Sequence, residues 1–333
     1  MDSFVIITIL LALLFDFING FHDSANAIAT VVATKVLSPL KAVTMAAVFN
    51  LIGPLVFGTA IAAMIGKGII DTSIVTVNLI FAALAGAVIW DMVTWYLGLP
   101  TSSSHALVGG LVGAGIAASG VSSVHASGVE KIVIFMIVSP IIGLAIGFLF
   151  ALFIMRGFRK SHPSKINNYF RKLQLFSAAF YSLTHGTNDA QKTMGIIALL
   201  LVAEGISTPM DATSFPIPLW VIFSCATAIG LGTFFGGWRI VKTMAQRVTR
   251  LRPYQGFAAE TSSGIVLAFM AHWGIPVSTT HVISSSIMGV GATNKLSAVR
   301  WGIARKIVGA WILTIPAAAI IAAATYLAMK TLF

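Results

Sequence analysis

Apolar residues in this chain come in long unbroken runs. They follow neither the three-and-four spacing of a half-wet helix nor the alternation of a strand. The runs at 4–18, 43–65, 132–155 and 303–329 are the clearest. Runs of this kind cross about 30 Å of hydrocarbon as helices. Polar residues fall in short stretches between the runs and at a few isolated places inside them. The pattern predicts an all-α, polytopic membrane protein.

Charge orients the predicted spans. Arg156, Arg159, Lys160, Lys165, Arg171 and Lys172 occupy one long polar stretch, 156–173, which divides the chain into halves of similar size. Further basic groups cluster at 237–256, at 293–306 and around Pro39. The positive-inside rule puts these stretches in the cytoplasm. The first half (1–155) then crosses inward (4–34) and outward (43–65), makes a re-entrant hairpin from the outer side (78–118), and crosses inward (131–155). The second half (174–333) crosses outward (174–203) and inward (217–236), makes a hairpin from the cytoplasmic side (257–292), and crosses outward (303–329). An odd number of crossings per half inverts the second half relative to the first, and both termini lie outside the cell membrane. Inverted repeats with broken helices are the architecture of alternating-access transporters.

Composition supports a membrane setting. Of 333 residues, 57% are hydrophobic and 9% charged, and mean hydropathy is +0.94. A soluble domain carries about 25% charged residues. The +11 net charge reads as loop bias and not as a nucleic-acid surface. Cys225 is the sole cysteine and sits in an apolar run, which excludes a disulfide framework. Met1-Asp2-Ser3 has no basic region, so the first run is expected to be a retained span.

The repeat is legible in residues. Gly98-Leu99-Pro100-Thr101-Ser102-Ser103-Ser104-His105 matches Gly274-Ile275-Pro276-Val277-Ser278-Thr279-Thr280-His281, and Gly113 and Gly115 continue as Gly289 and Gly291. A weaker pair, Gly20 to Asn26 and Gly186 to Lys192, precedes each hairpin in the same order. Pro100 and Pro276 stand where a first helical residue is expected. The first turn of a helix has unpaired N–H groups and a partial positive charge, which together make an anion site. Ser102, Ser103, Ser104, Ser278, Thr279 and Thr280 add hydroxyl donors. Hairpins entering from opposite sides should bring two such openings together near the midplane. The plainer reading is that these hydroxyls bond back to their own helices or glue helices together.

Asp23 and Asp189 lie in apolar surroundings, where a carboxylate costs at least about 2.5–3.5 kcal/mol, so each is a functional candidate. Gly20 and Gly186 before them would permit helix breaks. Carboxylates that bind H+ or Na+ would offset the charge of an anion moving against a negative-inside potential. The competing reading of Asp189 is an ion pair with Lys192, which could instead be a ligand of the anion. His22 is either a proton carrier or a structural residue. His105 and His281 either hold the hairpin tips or are core residues, and Asn26 and Asn188 are candidate polar ligands. Asp91 and Trp90 have no counterpart in the second hairpin and are given no role.

Four ordered motifs, Asn19 to Ala27, His185 to Lys192 and the two hairpin runs, resemble the inorganic phosphate transporter (PiT) family over nearly the whole chain. The resemblance implies two inverted repeats, phosphate as substrate, cation symport and a homodimer, with no further cofactor. Gly20-Phe21-His22-Asp23 is similar to the bacterial low-affinity, proton-coupled branch, which takes phosphate partly as a metal–phosphate complex. Sodium-coupled relatives tend to read Gly-Ala-Asn-Asp, a form approached here in Gly186-Thr187-Asn188-Asp189. H+ is therefore preferred. Many relatives carry a long hydrophilic insertion, and here the central loop is short. A membrane enzyme would need a nucleophile or metal cluster that the sequence lacks. A channel would need a continuous polar pore. Another tetrahedral oxyanion, sulfate above all, is the nearest alternative substrate.

Overall fold

The computed structural model describes residues 2–56, 59–207 and 217–332. These residues form α1 (Ser3–Ala33), α2 (Pro39–Val56), α3 (Ala60–Gly68), α4 (Val77–Leu97), α5 (Ser103–Ser119), α6 (Ala126–Gly157), α7 (Pro163–Ala203), α8 (Leu219–Phe235), α9 (Trp238–Lys242), α10 (Pro253–His272), α11 (Thr279–Ala292) and α12 (Trp301–Leu332). No strand is present among the described residues. By length and composition α1, α2, α4, α6 and α12 can each cross a bilayer, and α8 with its continuation Trp238–Val248, bent by 55°, makes a sixth span. The chain is a multi-pass membrane protein. α7 exposes Phe176 and Phe180 in its first half but is buried at every residue from 184 to 201. Protein surrounds that stretch, so it can carry Asp189 and Lys192.

Two apolar cores fill the interior. One takes Val5 to Phe15 of α1 with Ala190 to Leu201 of α7, and the other takes Ala25 to Val31 of α1 with Phe170 to Tyr181 of α7. The polar middles of α1 and α7 lie between them. The two helices run antiparallel, because Thr34 meets Gln174 while Asp16 meets Thr193.

α4 and α5 form one hairpin, and α10 and α11 form the other. Gly98 (φ 67°) follows α4 and Gly274 (φ 62°) follows α10. Both adopt the left-handed conformation that only glycine reaches without strain. Each hairpin's second helix packs on the long helix that ends the other half of the chain. Gly109 and Gly113 of α5 lie against Ile315 and Ala319 of α12, and Gly289 of α11 lies against Leu144 of α6.

Several local expectations need correction. Gly20 and Gly186 do not break their helices, for α1 and α7 run through them without interruption. A Cβ on Gly20 would run into the Ile229 carbonyl oxygen of α8, and one on Gly186 into the Asn50 carbonyl oxygen of α2. These glycines exist for close helix approach. A break falls elsewhere, at Gly236–Gly237 between α8 and α9. Pro100 and Pro276 precede the helices instead of opening them: α5 starts at Ser103 and α11 at Thr279. The basic stretch 156–173 is mostly helical, because α7 begins at Pro163 and nothing in 163–173 stops it. Its polarity reflects helix standing clear of hydrocarbon.

Gly20→Val should lower the melting temperature of the detergent-purified protein by overpacking the α1–α8 contact, a cost of about 1–3 kcal/mol or more. Gly302→Ala, where an added Cβ meets nothing within 4 Å, should leave it unchanged or slightly raised.

Candidate functional site

The two hairpin turns come together against the middles of α1 and α7. Ser102 and Ser278 are the N-caps of α5 and α11, their hydroxyl oxygens accepting the N–H of His105 (3.3 Å) and His281 (3.1 Å). Capping satisfies one first-turn N–H and, by helix geometry, leaves those of Ser103, Ser104, Thr279 and Thr280 without intrahelical partners. The His105 and His281 rings meet edge to face at 4.8 Å, and His281 stacks on Trp311 at 3.9 Å. Trp311 Nε1 donates to the Pro100 carbonyl oxygen at 2.8 Å, fixing the turn before α5. The paired histidines therefore hold the tips against each other.

Lys192 joins the two openings from α7. Its ammonium donates to Ser104 Oγ of one hairpin, to the Val277 carbonyl oxygen of the other at 3.2 Å, and to Asp189 Oδ1 at 2.5 Å. The ion pair anticipated as the plain reading is thus formed, yet it sits between the two hairpin turns. Thr279 Oγ1 donates to Asp189 Oδ2 (3.1 Å), and Thr280 Oγ1 donates to Asp23 Oδ2 (3.2 Å). Asn26 Nδ2 donates to Thr280 Oγ1 at 2.8 Å. Both carboxylates therefore face the opening turn of α11. Every one of these side chains is at most 7% exposed, so the cluster is closed to both sides.

Histidines attend both carboxylates. His22 Nδ1 lies 2.8 Å from Asp23 Oδ1 and Nε2 lies 3.1 Å from Thr94 Oγ1. An ionised carboxylate there would accept from Nδ1–H. His185 Nε2 lies 3.2 Å from Asp189 Oδ2, misaligned for a hydrogen bond, while its Nδ1 is 3.1 Å from Asn50 Oδ1. Ligand atoms of Asp23, His185 and Asp189 all lie within 4.8 Å of one another. Two carboxylate oxygens and an imidazole nitrogen at that spacing can hold a small cation between them.

Most residues expected from the sequence meet here. Asn188 does not: its amide donates to the carbonyls of Thr184 (2.8 Å) and Leu267 (3.3 Å), turning it toward α10. Ser103 faces Asp91 of α4, a carboxylate given no role from the sequence. His185 and Asn50 had also escaped assignment, as had Thr101, whose hydroxyl donates to Thr94 Oγ1 at 2.8 Å. A second buried network beside Thr34 was missed too. There Glu260 accepts from Gln174 (3.0 Å) and from Ser177. Only His185, Gln174 and Ser177 among these carried a signal, the recurrence of polar residues at every third or fourth position along α7.

The phosphate transporter family matches residues 19–322. A probable low-affinity inorganic phosphate transporter of Rhizobium meliloti (strain 1021) is 53% identical over 321 residues, 96% of this chain and 95% of that one. A probable low-affinity inorganic phosphate transporter of Bacillus subtilis (strain 168) is 44% identical over 338 residues, covering 100% of both chains. A solved structure titled the sodium-dependent phosphate transporter shares the fold with a TM-score of 0.88 over 100% of both chains, at 24% identity. From the extent of the family match and the two end-to-end relatives, this chain belongs to the phosphate transporter family.

Proposed function

We propose that this protein is a secondary active symporter that imports inorganic phosphate, bound between the openings of α5 and α11, with a cation carried on Asp23 and Asp189. The observation that carries the reading is Lys192 joining Ser104 to Val277 beside two buried carboxylates. Phosphate entering the cluster would take the first-turn N–H groups and the hydroxyls of Ser103, Ser104, Thr279 and Thr280, and would draw Lys192 from Asp189. Asp189 then needs a new positive partner, which the coupling cation supplies. Anion and cation binding become mutually dependent, as symport requires. Asp23 and Asp189 also accept hydrogen bonds. Phosphate retains a proton to donate to them near neutral pH and sulfate does not, so the pair favours phosphate.

The reciprocal packing of α5 on α12 and α11 on α6, with α1 antiparallel to α7, supports two inverted repeats divided near 156–173. Rocking one repeat against the other would open the closed cluster to either side in turn. H+ is the preferred coupling ion, since a histidine stands against each carboxylate. Na+ is the second reading, favoured by the convergence of Asp23, His185 and Asp189. A metal–phosphate complex as the carried form and a homodimer as the working assembly follow from the family resemblance and belong to the same proposal.

Uptake of labelled phosphate into proteoliposomes under separately imposed pH and Na+ gradients decides between the ions; accumulation under neither would overturn the symporter. Asp23→Asn should insert normally and lose concentrative uptake, and normal accumulation would remove Asp23 from coupling. Lys192→Gln should raise the KM for phosphate roughly 10–100-fold, corresponding to loss of one charged hydrogen bond of about 1.5–3 kcal/mol. An unchanged KM would leave Lys192 as a partner of Asp189 only.

A further inference from the structure

Along α1 the buried polar residues form a stripe. Asp16, Asn19, Asp23, Asn26 and Thr30 follow at steps of three and four, which places them on one helix face. Asp23 and Asn26 belong to the central cluster. Asp16 and Asn19 stand on the N-terminal side of it, with Asp16 two helical turns from Asp23, about 10 Å along the axis.

Asp16 is fully buried, yet neither carboxylate oxygen has a hydrogen-bond partner in the protein. The same holds for both amide atoms of Asn19, which is 1% exposed, and for Thr193 Oγ1, which is fully buried. Asp16 faces Thr193 of α7 and the Cys225 thiol of α8. The charged groups nearest it are Lys192 and Asp189 of α7, and the Lys192 ammonium is already committed to Asp189, Ser104 and Val277. Among the described residues no other basic group acts on Asp16. With only the Thr193 hydroxyl and the Cys225 thiol beside it, neither in hydrogen-bonding geometry, an ionised carboxylate here costs several kcal/mol, so Asp16 is stable only with a bound positive charge. Its two oxygens, with Asn19 Oδ1 and Thr193 Oγ1, are hard oxygen donors suited to a proton or an alkali cation. Simple packing does not account for them, because apolar side chains of the same size would fill the space without that cost.

We propose that Asp16, Asn19 and Thr193 form a second site for a monovalent cation, in line with Asp23 on α1. The site rests on the symporter reading and adds to it a separate cation, bound away from the phosphate. A cation held there reaches the central carboxylates along the same helix face, and it raises the positive charge that moves with each phosphate.

The test uses the full-length protein in proteoliposomes, in parallel Na+ and pH arms that separate the two cations. Cations moved per phosphate are read from the gradient at which net flux reverses. Phosphate exchange against phosphate is read at saturating cation, where no net cation movement is required. Asp16→Asn should still exchange phosphate, should lose one cation per phosphate, and should need on the order of tenfold more cation for half-maximal net uptake. Should Asp16→Asn fail to insert, Asn19→Leu and Thr193→Val carry the test through the same rise in half-saturation. Unaltered cation-to-phosphate ratio and half-saturation in the variants would overturn the second site. Absence of phosphate exchange in the unaltered protein would instead overturn the symporter reading.

Discussion

Buried charge in a low-dielectric interior is the constraint on which the rest of this molecule turns. Asp23, Asp189 and Lys192 lie within a protein whose exterior is largely lipid-facing, and each is tolerable only because partners are brought to it. The two apolar cores, the antiparallel pairing of α1 with α7 and the hairpins all deliver those partners to one level. Glycines let the backbones close around them: Gly20 against α8, Gly186 against α2, and Gly113 and Gly289 against the helices that end the opposite halves. A bulky residue at any of these positions would push a polar group out of reach of its partner.

The closed state is balanced on groups that can change partners. Lys192 holds Asp189, Ser104 and the Val277 carbonyl together, and the hydroxyls of Thr279 and Thr280 hold the carboxylates. The donors that an oxyanion would attract are thus the donors that the carboxylates now use. In the proposed symporter, binding an anion would free the carboxylates and binding a cation would free the donors, so coupling between the two loads would follow from this competition without any distant relay.

The residues of the candidate site stood out in the sequence through the two hairpin motifs, Pro-x-Ser-[Ser/Thr]-[Ser/Thr]-His written twice, and through the acidic pair, and the structure brings them together. Residues whose significance lies in what faces them were hidden. A glycine before an intramembrane Asp reads equally as a break or as a close contact, and only the Ile229 and Asn50 carbonyls opposite Gly20 and Gly186 decide for contact. Asp16, Asn50 and Glu260 carry no motif of their own, and His185 opens a motif without a role of its own. Asp16 and His185 become visible once antiparallel α1 and α7 align their polar faces, whereas Asn50 and Glu260 reach those faces from α2 and α10, relations between segments far apart in the chain. Pro100 and Pro276 marked the hairpin turns correctly but missed the helix starts by three residues, because Ser102 and Ser278 are better caps than the positions before the prolines.

Reciprocal coupling at the central cluster is tested most directly by equilibrium binding of labelled phosphate to the purified protein while the coupling cation is titrated. Phosphate affinity should rise with cation concentration, and cation affinity should rise by the same factor with phosphate. Phosphate binding of constant affinity across the cation titration would contradict a shared site between the two hairpin openings.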